Sequence, residues 1–283
     1  MILIADAGST KTDWLFLSKQ KEIIPLKSAG LNPIVTTARE IDQRLSAIFK
    51  ELSETAKVEE IHFFGAGCWN EATCMIIHNA LQKYFPNAAI EVDSDIFGAV
   101  RASCGDLPGI VCILGTGSNT CLFDGKKISK GVPSLGYILG DEGSGMYLGK
   151  ELIKHYFYQE LPKDLHAFFK DAYTVDKEEL IQKVYREKEA NQYLASFVPF
   201  IAKHRKHPFL QQLLKRVFNQ FIERHLLKYP EHKTLPIHFI GSISFHFKTE
   251  LVACLVEKKL QVGQILKQPI NALGNYYYHP TLE

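Results

Sequence analysis

At 283 residues the chain is long enough for two domains of roughly 150 residues each. A composition of 46% hydrophobic and 23% charged residues is that of a globular protein and excludes disorder, collagen and long coiled coil. Lys plus Arg number 33 against 31 Asp plus Glu, so the formal +2 charge announces neither a nucleic-acid nor a membrane surface, and a small molecule is the expected partner. The longest apolar runs, such as Ile110 to Leu114, are strand-sized, far short of the roughly 18 residues of a membrane span. Met1-Ile-Leu-Ile-Ala5 meets Asp6 at once without a basic start, too short for a signal peptide, so a cytoplasmic location is expected. The 6 cysteines are scattered singly with no C-x-x-C and read mostly as small core residues.

Met1 to Ala5 reads as a buried strand, Asp6 to Asp13 as a polar turn and Trp14 to Leu17 as the strand that returns. A further extended stretch, Glu22 to Leu26, leads to Gly30-Leu-Asn-Pro33, after which Ile41, Leu45, Ile48, Phe49 and Leu52 recur at helical spacing. Ile61 to Phe64 is a strand ending in Gly65-Ala-Gly67, Ala72 to Tyr84 a helix, Ala89 to Val92 a strand and Ile96 to Ser103 a helix. The order is β-β-β-α-β-α-β-α. At Ile110 the pattern restarts: Ile2-Leu-Ile-Ala-Asp-Ala-Gly-Ser9 aligns with Val111-Cys-Ile-Leu-Gly-Thr-Gly-Ser118, each an apolar run, a turn, a Gly and a Ser. A second apolar stretch follows each turn, and a repeat of this length predicts a duplicated lobe. From Met146 to about Leu227 the chain is helical, with Leu148, Leu152, Tyr156 and later Leu213, Val217, Phe221 spaced for one buried face. Ile237 to Ile240 is a strand reaching Gly241-Ser-Ile-Ser244, a helix follows around Leu251 to Val256, and Pro269 to Leu273 opens the last element. The expected fold class is therefore α/β in two lobes, residues 1–106 and 107–283, the second carrying a helical insertion at about 146–235.

Two Gly/Ser/Thr turns on related hairpins offer backbone N–H groups and hydroxyls without side-chain obstruction, as a phosphate chain requires. In the first, Asp6 at the strand end can hold hydrated Mg²⁺ while Gly8, Ser9, Thr10 and Lys11 face phosphate oxygens. Ordinary turn chemistry accounts for Ser9 and Thr10 equally well, and a solvated lysine for Lys11. No G-x-x-x-x-G-K-[ST] and no G-x-G-x-x-G occurs, so neither a P-loop nor a dinucleotide fold is expected. His204-Arg-Lys-His207 reads as the solvated basic face of a helix in the insertion, ahead of a phosphate patch. Asp95, at a strand's end and a helix's start, either caps the helix or serves as a base, and Asp93 stands beside it as an alternative. Asp141 and Glu142 are suited to stabilising the start of the helix entering Met146.

Four segments carry a family resemblance: Asp6-Ala-Gly-Ser-Thr-Lys-Thr-Asp13, Leu114-Gly-Thr-Gly-Ser-Asn119, Gly140-Asp-Glu-Gly-Ser-Gly145 and Ile240-Gly-Ser-Ile243. In their order and approximate spacing the chain resembles the actin-like ATPase superfamily of sugar kinases, and within it the N-acetylglucosamine kinases of the BadF-type ATPase group. The resemblance covers nearly the whole chain and is weakest across the helical insertion. It implies two actin-like, ribonuclease H-like lobes closing on a sugar, and ATP-dependent phosphorylation of an amino sugar, most specifically N-acetylglucosamine at its 6-hydroxyl. By the resemblance Gly8 to Lys11 form the first phosphate motif and Gly115, Thr116, Gly117 and Ser118 the second, with Gly241 and Ser242 at the adenosine end. Ser94-Asp-Ile-Phe-Gly98 matches the context of the family's catalytic aspartate, which gives Asp95. Asn32, Thr116, Asn119 and Asp141 fall at the sugar-holding positions.

The implied cofactors are ATP and Mg²⁺, the metal at Asp6 through water. The implied partners are the amino sugar and ATP, with neither nucleic acid nor membrane, and a homodimer is the candidate assembly. Two rivals share the group or the fold. An iron-sulfur activator ATPase of a dehydratase or reductase needs paired cysteines at a dimer interface, and here Cys112 and Cys121 flank the second phosphate motif on strands that read as buried. A non-catalytic sugar sensor can dispense with the phosphate turns and Asp95, all of which are present.

Overall fold

The computed structural model describes residues 1–18, 23–50 and 58–278. The chain divides into two compact units, residues 1–106 with 268–283, and residues 107–267. The first unit runs β1 (Ile2–Ala7), β2 (Lys11–Leu17), β3 (Ile23–Ala29), α1 (Ala38–Phe49), β4 (Glu60–Gly65), α2 (Glu71–Gln82), β5 (Ala89–Ser94) and α3 (Asp95–Ser103). This is the order expected from sequence; Glu22 and Leu52, which that expectation included, lie outside the described residues.

The strands form a sheet in the order β3-β2-β1-β4-β5, with β1, β2 and β3 antiparallel and β4 and β5 parallel to β1. A central strand covered on both faces must be apolar throughout, and Leu3, Ile4, Ala5 and Ala7 are all fully buried. On one face Leu3, Ala5, Trp14, Phe16, Ile61 and Phe63 meet Ile41, Leu45 and Phe49 of α1 and Ile77 and Leu81 of α2. Trp14 and Phe49 pack edge to face at 4.9 Å. Local chemistry starts α1: Thr37 accepts from Glu40 N while Glu40 accepts from Thr37 N, a capping box.

The second unit begins with β6 (Gly109–Leu114), β7 (Ser118–Phe123), β8 (Ile128–Val132) and the short α4 (Gly136–Leu139). The helical region follows: α5 (Gly145–Phe157), α6 (Lys163–Ala172), α7 (Lys177–Tyr185), α8 (Ala190–Ala195), α9 (Val198–Lys203), α10 (Pro208–Arg224) and two 3₁₀ turns, Leu226–Lys228 and Pro230–Lys233. It closes with β9 (Ile237–Ile240), α11 (Ser242–His246), α12 (Lys248–Glu257) and β10 (Val262–Leu266). Its sheet, β10-β9-β6-β7-β8, has the same topology as the first, with a hairpin pair leading and parallel strands on the other side. The core joins Ile110, Cys112 and Leu114 to Leu148 and Leu152 of α5 and Leu213, Val217 and Phe221 of α10, the periodic residues of the sequence.

The last helix, α13 (Ile270–Tyr277), corrects the expected boundary. It belongs to the first unit, where it lies on β1, β2 and α3, although the sequence pattern places everything after residue 106 in the second lobe. The reason is physical: the sheet face opposite α1 and α2 has only α3 to cover it until Leu273 and Tyr277 arrive. Four further elements, β8, α4, α11 and β10, are absent from the order read in the sequence.

Candidate active site

In the first unit the candidate residues gather at the carboxyl ends of β1 and β5. The β1–β2 turn is closed by Gly8 N donating to Lys11 O at 2.8 Å and is buttressed by the chain leaving β3. Gly30 N donates to Thr10 O at 3.0 Å and Leu31 N to Gly8 O at 3.2 Å, while Arg44 donates to Gly30 O. Asn32 donates from Nδ2 to Ser9 Oγ at 2.8 Å and accepts Ile34 N at 2.9 Å, so this amide is fixed against the β1–β2 turn. Ser9, Thr10 and Lys11 are exposed, as groups awaiting an anion would be.

Asp6 and Asp95 lie near enough to repel. Burial, with the negative charges of Asp95 and Asp13, pushes the Asp6 carboxyl up to about 7 against the pull of Lys11. Asp95 is raised by burial too, opposed by the hydrogen bond its Oδ1 accepts from Ile96 N at 2.8 Å. The helix cap is Ser94, whose hydroxyl accepts from Phe97 N, so Asp95 stands at the first helical position free of that duty. Asp93 differs: its Oδ1 accepts both Ser94 N at 2.6 Å and Ser94 Oγ at 3.1 Å, which ties it to local structure. Asp13 received no role from the sequence, yet it is buried, pairs in register with Asp6 and holds Lys11 Nζ at 2.5 Å. Its place in the Asp6 to Asp13 motif was the available signal.

In the second unit the turn from Gly115 to Ser118 is closed by Gly115 N donating to Gly117 O at 3.0 Å. Gly145 N and Met146 N at the start of α5 donate to Gly115 O and Thr116 O at 2.8 and 3.1 Å. Two features of the turn suit a phosphate. Ser118 Oγ is buried without a hydrogen-bond partner among the described residues. A Cβ built on Gly115 meets nothing within 4 Å, so an oxyanion has room to approach the backbone. Gly241 is a structural requirement: at φ +128° its Cβ would stand 2.2 Å from Leu114 O. Ser242, exposed, opens α11 directly after it.

Asp141 belongs to the same group. Its Oδ1 accepts Ser118 N and Ser134 Oγ, both at 3.2 Å, and its Oδ2 lies 3.0 Å from where a Gly117 Cβ would be. Burial raises the Asp141 carboxyl, with those two bonds opposing. Asn119 is half-buried and accepts Thr120 N at 2.9 Å, and Thr116 is exposed on the turn. Ser134 escapes the sequence pattern because nothing in its own context distinguishes it. A cavity of about 350 Å³ opens beside Gly115 and Thr116, walled mainly by Val198, Pro199 and Ala202 of α9 and Ser242, Ile243 and His246 of α11. The basic run of the insertion is structural: Arg205 donates to His246 O at 3.1 Å, His207 caps α10, and His204 stacks on Phe168.

No family model matches the chain. Among solved structures it is similar to a proposed N-acetylglucosamine kinase from Porphyromonas gingivalis, at 39% identity over 98% of each chain with a TM-score of 0.92. A second, a proposed N-acetylglucosamine kinase from Chromobacterium violaceum, shares 16% identity over 97% of this chain and 98% of that one, with a TM-score of 0.73. A ROK family glucokinase from Streptomyces griseus, in complex with glucose and AMPPNP, shares the fold at 13% identity over 96% of each chain, with a TM-score of 0.57. With the two sheets of one topology and the near-complete match at 39% identity, the chain belongs to the N-acetylglucosamine kinase family within the actin-like ATP-dependent sugar kinases.

Proposed function

We propose that the protein transfers the γ-phosphoryl group of ATP to an amino sugar, with N-acetylglucosamine as the sugar and its 6-hydroxyl as the acceptor. The observation that carries this reading is Asp95, a carboxylate relieved of capping by Ser94 and lifted by burial toward the working range of a general base. The choice of sugar is supported by the likeness to the proposed N-acetylglucosamine kinase from Porphyromonas gingivalis. Asp95 takes the hydroxyl proton as the sugar oxygen attacks the γ-phosphorus, the bond to the β-phosphate oxygen breaks, and ADP leaves. The amides of Gly8 to Lys11 and the Lys11 ammonium offset phosphate charge, as do the amides of Gly115 to Gly117 and the unpartnered Ser118 hydroxyl. Gly241 and Ser242, with the adjoining cavity, take the adenosine. Asn32, Thr116, Asn119 and Asp141 supply donors and acceptors for ring hydroxyls.

Bound Mg²⁺ supplies charge neutralisation at the phosphate oxygens. Asp6 is the residue that fits it through water, since a carboxylate driven up to about 7 by burial and neighbouring carboxylates gains from a cation. An iron-sulfur role is disfavoured by burial: Cys112 and Cys121 are 0% and 2% exposed on β6 and β7, away from any surface where a cluster could be shared. No helix among the described residues is long and apolar enough to cross a membrane.

The test is an ATP-consumption assay with N-acetylglucosamine, glucosamine, N-acetylmannosamine and N-acetylmuramate. The expected result is strongest stimulation by N-acetylglucosamine, with a 6-phosphate product by NMR. A preference for another sugar reassigns the substrate, and no stimulation by any sugar rejects the kinase reading.

A further inference from the structure

Asp141 has φ +58°, a left-handed conformation that costs aspartate less than most residues bearing a Cβ and that its neighbours here hold in place. The two residues after it are pinned by one element, the carboxyl-terminal end of α10. Glu142, 4% exposed, accepts Arg224 Nη1 on Oε1 and meets His225 Nε2 on Oε2 at 3.1 Å. Gly143, at φ +79°, is so close to α10 that its Cβ would stand 2.9 Å from Phe221 Cβ. Ser144 N then donates to Asp141 O at 3.2 Å and Ser144 caps α5, so the turn is closed on its other side. Asp141 has its own carboxylate bonds to Ser118 N and Ser134 Oγ, which fix the side chain, while its backbone is held by the Ser144 bond together with the pinned Glu142 and Gly143.

We propose that Glu142 is the positioning residue for Asp141, clamped by Arg224 and His225 so that the Asp141 carboxylate stands at the second phosphate turn. The inference rests on the reading of Asp141 as a sugar-holding residue and deepens it, giving the helical insertion a function in the site. The Arg224 cation at the last turn of α10 is favoured there by the helix dipole, which makes that end a fitting anchor for a buried carboxylate. Burial works against charge on Glu142, yet the bonds to His225 and Arg224 outweigh it and hold the group below its ordinary value. The Tyr147 to Gln220 bond at 3.0 Å joins α5 to α10 independently of Glu142.

The test is a double-mutant cycle read in steady-state kinetics. Glu142→Gln keeps the shape and one acceptor but loses the charge; the KM for sugar should rise about tenfold or more, roughly 1.4 kcal/mol, with the KM for ATP within about twofold. In an Asp141→Asn background the same substitution should add less than about twofold, because the group it positions is already gone. Arg224→Gln, at a side chain 59% exposed, is the second variant and should show the same sugar-specific, non-additive effect where Glu142→Gln lowers the folded yield. Effects that multiply independently in the two backgrounds, or that fall on ATP and sugar alike, overturn the positioning role. If Asp141→Asn itself leaves the sugar KM unchanged, the fault lies with the sugar reading of Asp141 instead.

Discussion

At the residue scale, the substitution Asp95→Asn separates a base from a cap. Asn caps a helix as well as Asp does, and Ser94 already fills that position, so a structural role predicts little change in rate. A general base predicts a turnover lower by about two to four orders of magnitude with sugar and ATP still bound. Burial raises the Asp95 carboxyl, so the acid limb of kcat/KM should lie above the ordinary carboxylate range and be missing in the variant. The same shift fixes the sign for stability. A carboxyl with a raised folded-state pKa loses stability as pH climbs from its unfolded value through its folded one, so Asp95→Asn should melt higher than wild type at pH 8, the gap closing in acid. Equal melting points at both pH values reject the burial account. A second contrast tests the turn. Gly115→Ala meets open space and should leave the melting point within a few degrees while weakening nucleotide binding about tenfold, whereas Gly241→Ala should unfold the turn through its 2.2 Å clash with Leu114 O. Nucleotide binding unchanged by Gly115→Ala would remove this turn from the phosphate reading. The strand end and helix start at Asp95 announce themselves locally, but they leave Asp93 as an alternative, and only the resemblance of Ser94 to Gly98 singles out Asp95. Asp13, Ser134 and the pair Arg224 and His225 were not legible, since their importance lies in partners that only folding brings near.

Among elements, legibility tracked how much of the burial a segment makes for itself. β1 and β6 are apolar runs with no exposed position, and α10 carries Leu213, Val217 and Phe221 at one face, so pattern alone identifies them; β2 and β7 are legible only in their apolar second halves, their first residues Lys11–Asp13 and Ser118–Thr120 being polar. β8, reading Ile-Ser-Lys-Gly-Val, shows no such pattern; it is an edge strand and exists because β7 offers it a partner. A buried tyrosine secures it. Tyr229, at 0% exposure, accepts Val132 N with its hydroxyl at 2.9 Å and shares a second bond of 2.9 Å with Thr120 Oγ1. Tyr229→Phe should cost about 1 to 3 kcal/mol, the penalty of leaving buried groups without their bonds. The loss should appear locally as faster amide exchange along Ile128–Val132, with exchange in α10 changed far less. Uniform acceleration across the second unit would mean that Tyr229 supports the whole core and that β8 does not depend on its hydroxyl.

For the whole molecule, two sheets of one topology express the internal repeat that Ile2 to Ser9 and Val111 to Ser118 announce, but the chain does not divide where the repeat does. Reading along a sequence assigns each element to the lobe last entered; α13 escapes that rule because the uncovered sheet face of the first unit is its burial site. Ile270, Leu273 and Tyr277 are buried there, and Tyr277 stacks on His62 at 3.9 Å, a ring held between Glu60 and Glu91. Burying three such side chains contributes roughly 4.5 to 9 kcal/mol at about 1.5 to 3 each, comparable with the about 5 to 15 kcal/mol of net stability a domain possesses. Ending the chain at Lys267 should therefore unfold the first unit while leaving residues 107–267, which are contiguous, folded. Limited proteolysis should leave a resistant fragment beginning near Leu107, and amides of β1, β4 and β5 should exchange as in an unfolded chain. Supplying residues 268–283 as a separate peptide should restore part of that protection, since the helix is bound by packing and not by its connection to β10. Protection of β1 and β4 retained in the shortened chain would show that α3 alone suffices to cover that face, and the first unit would then be complete at Asp106.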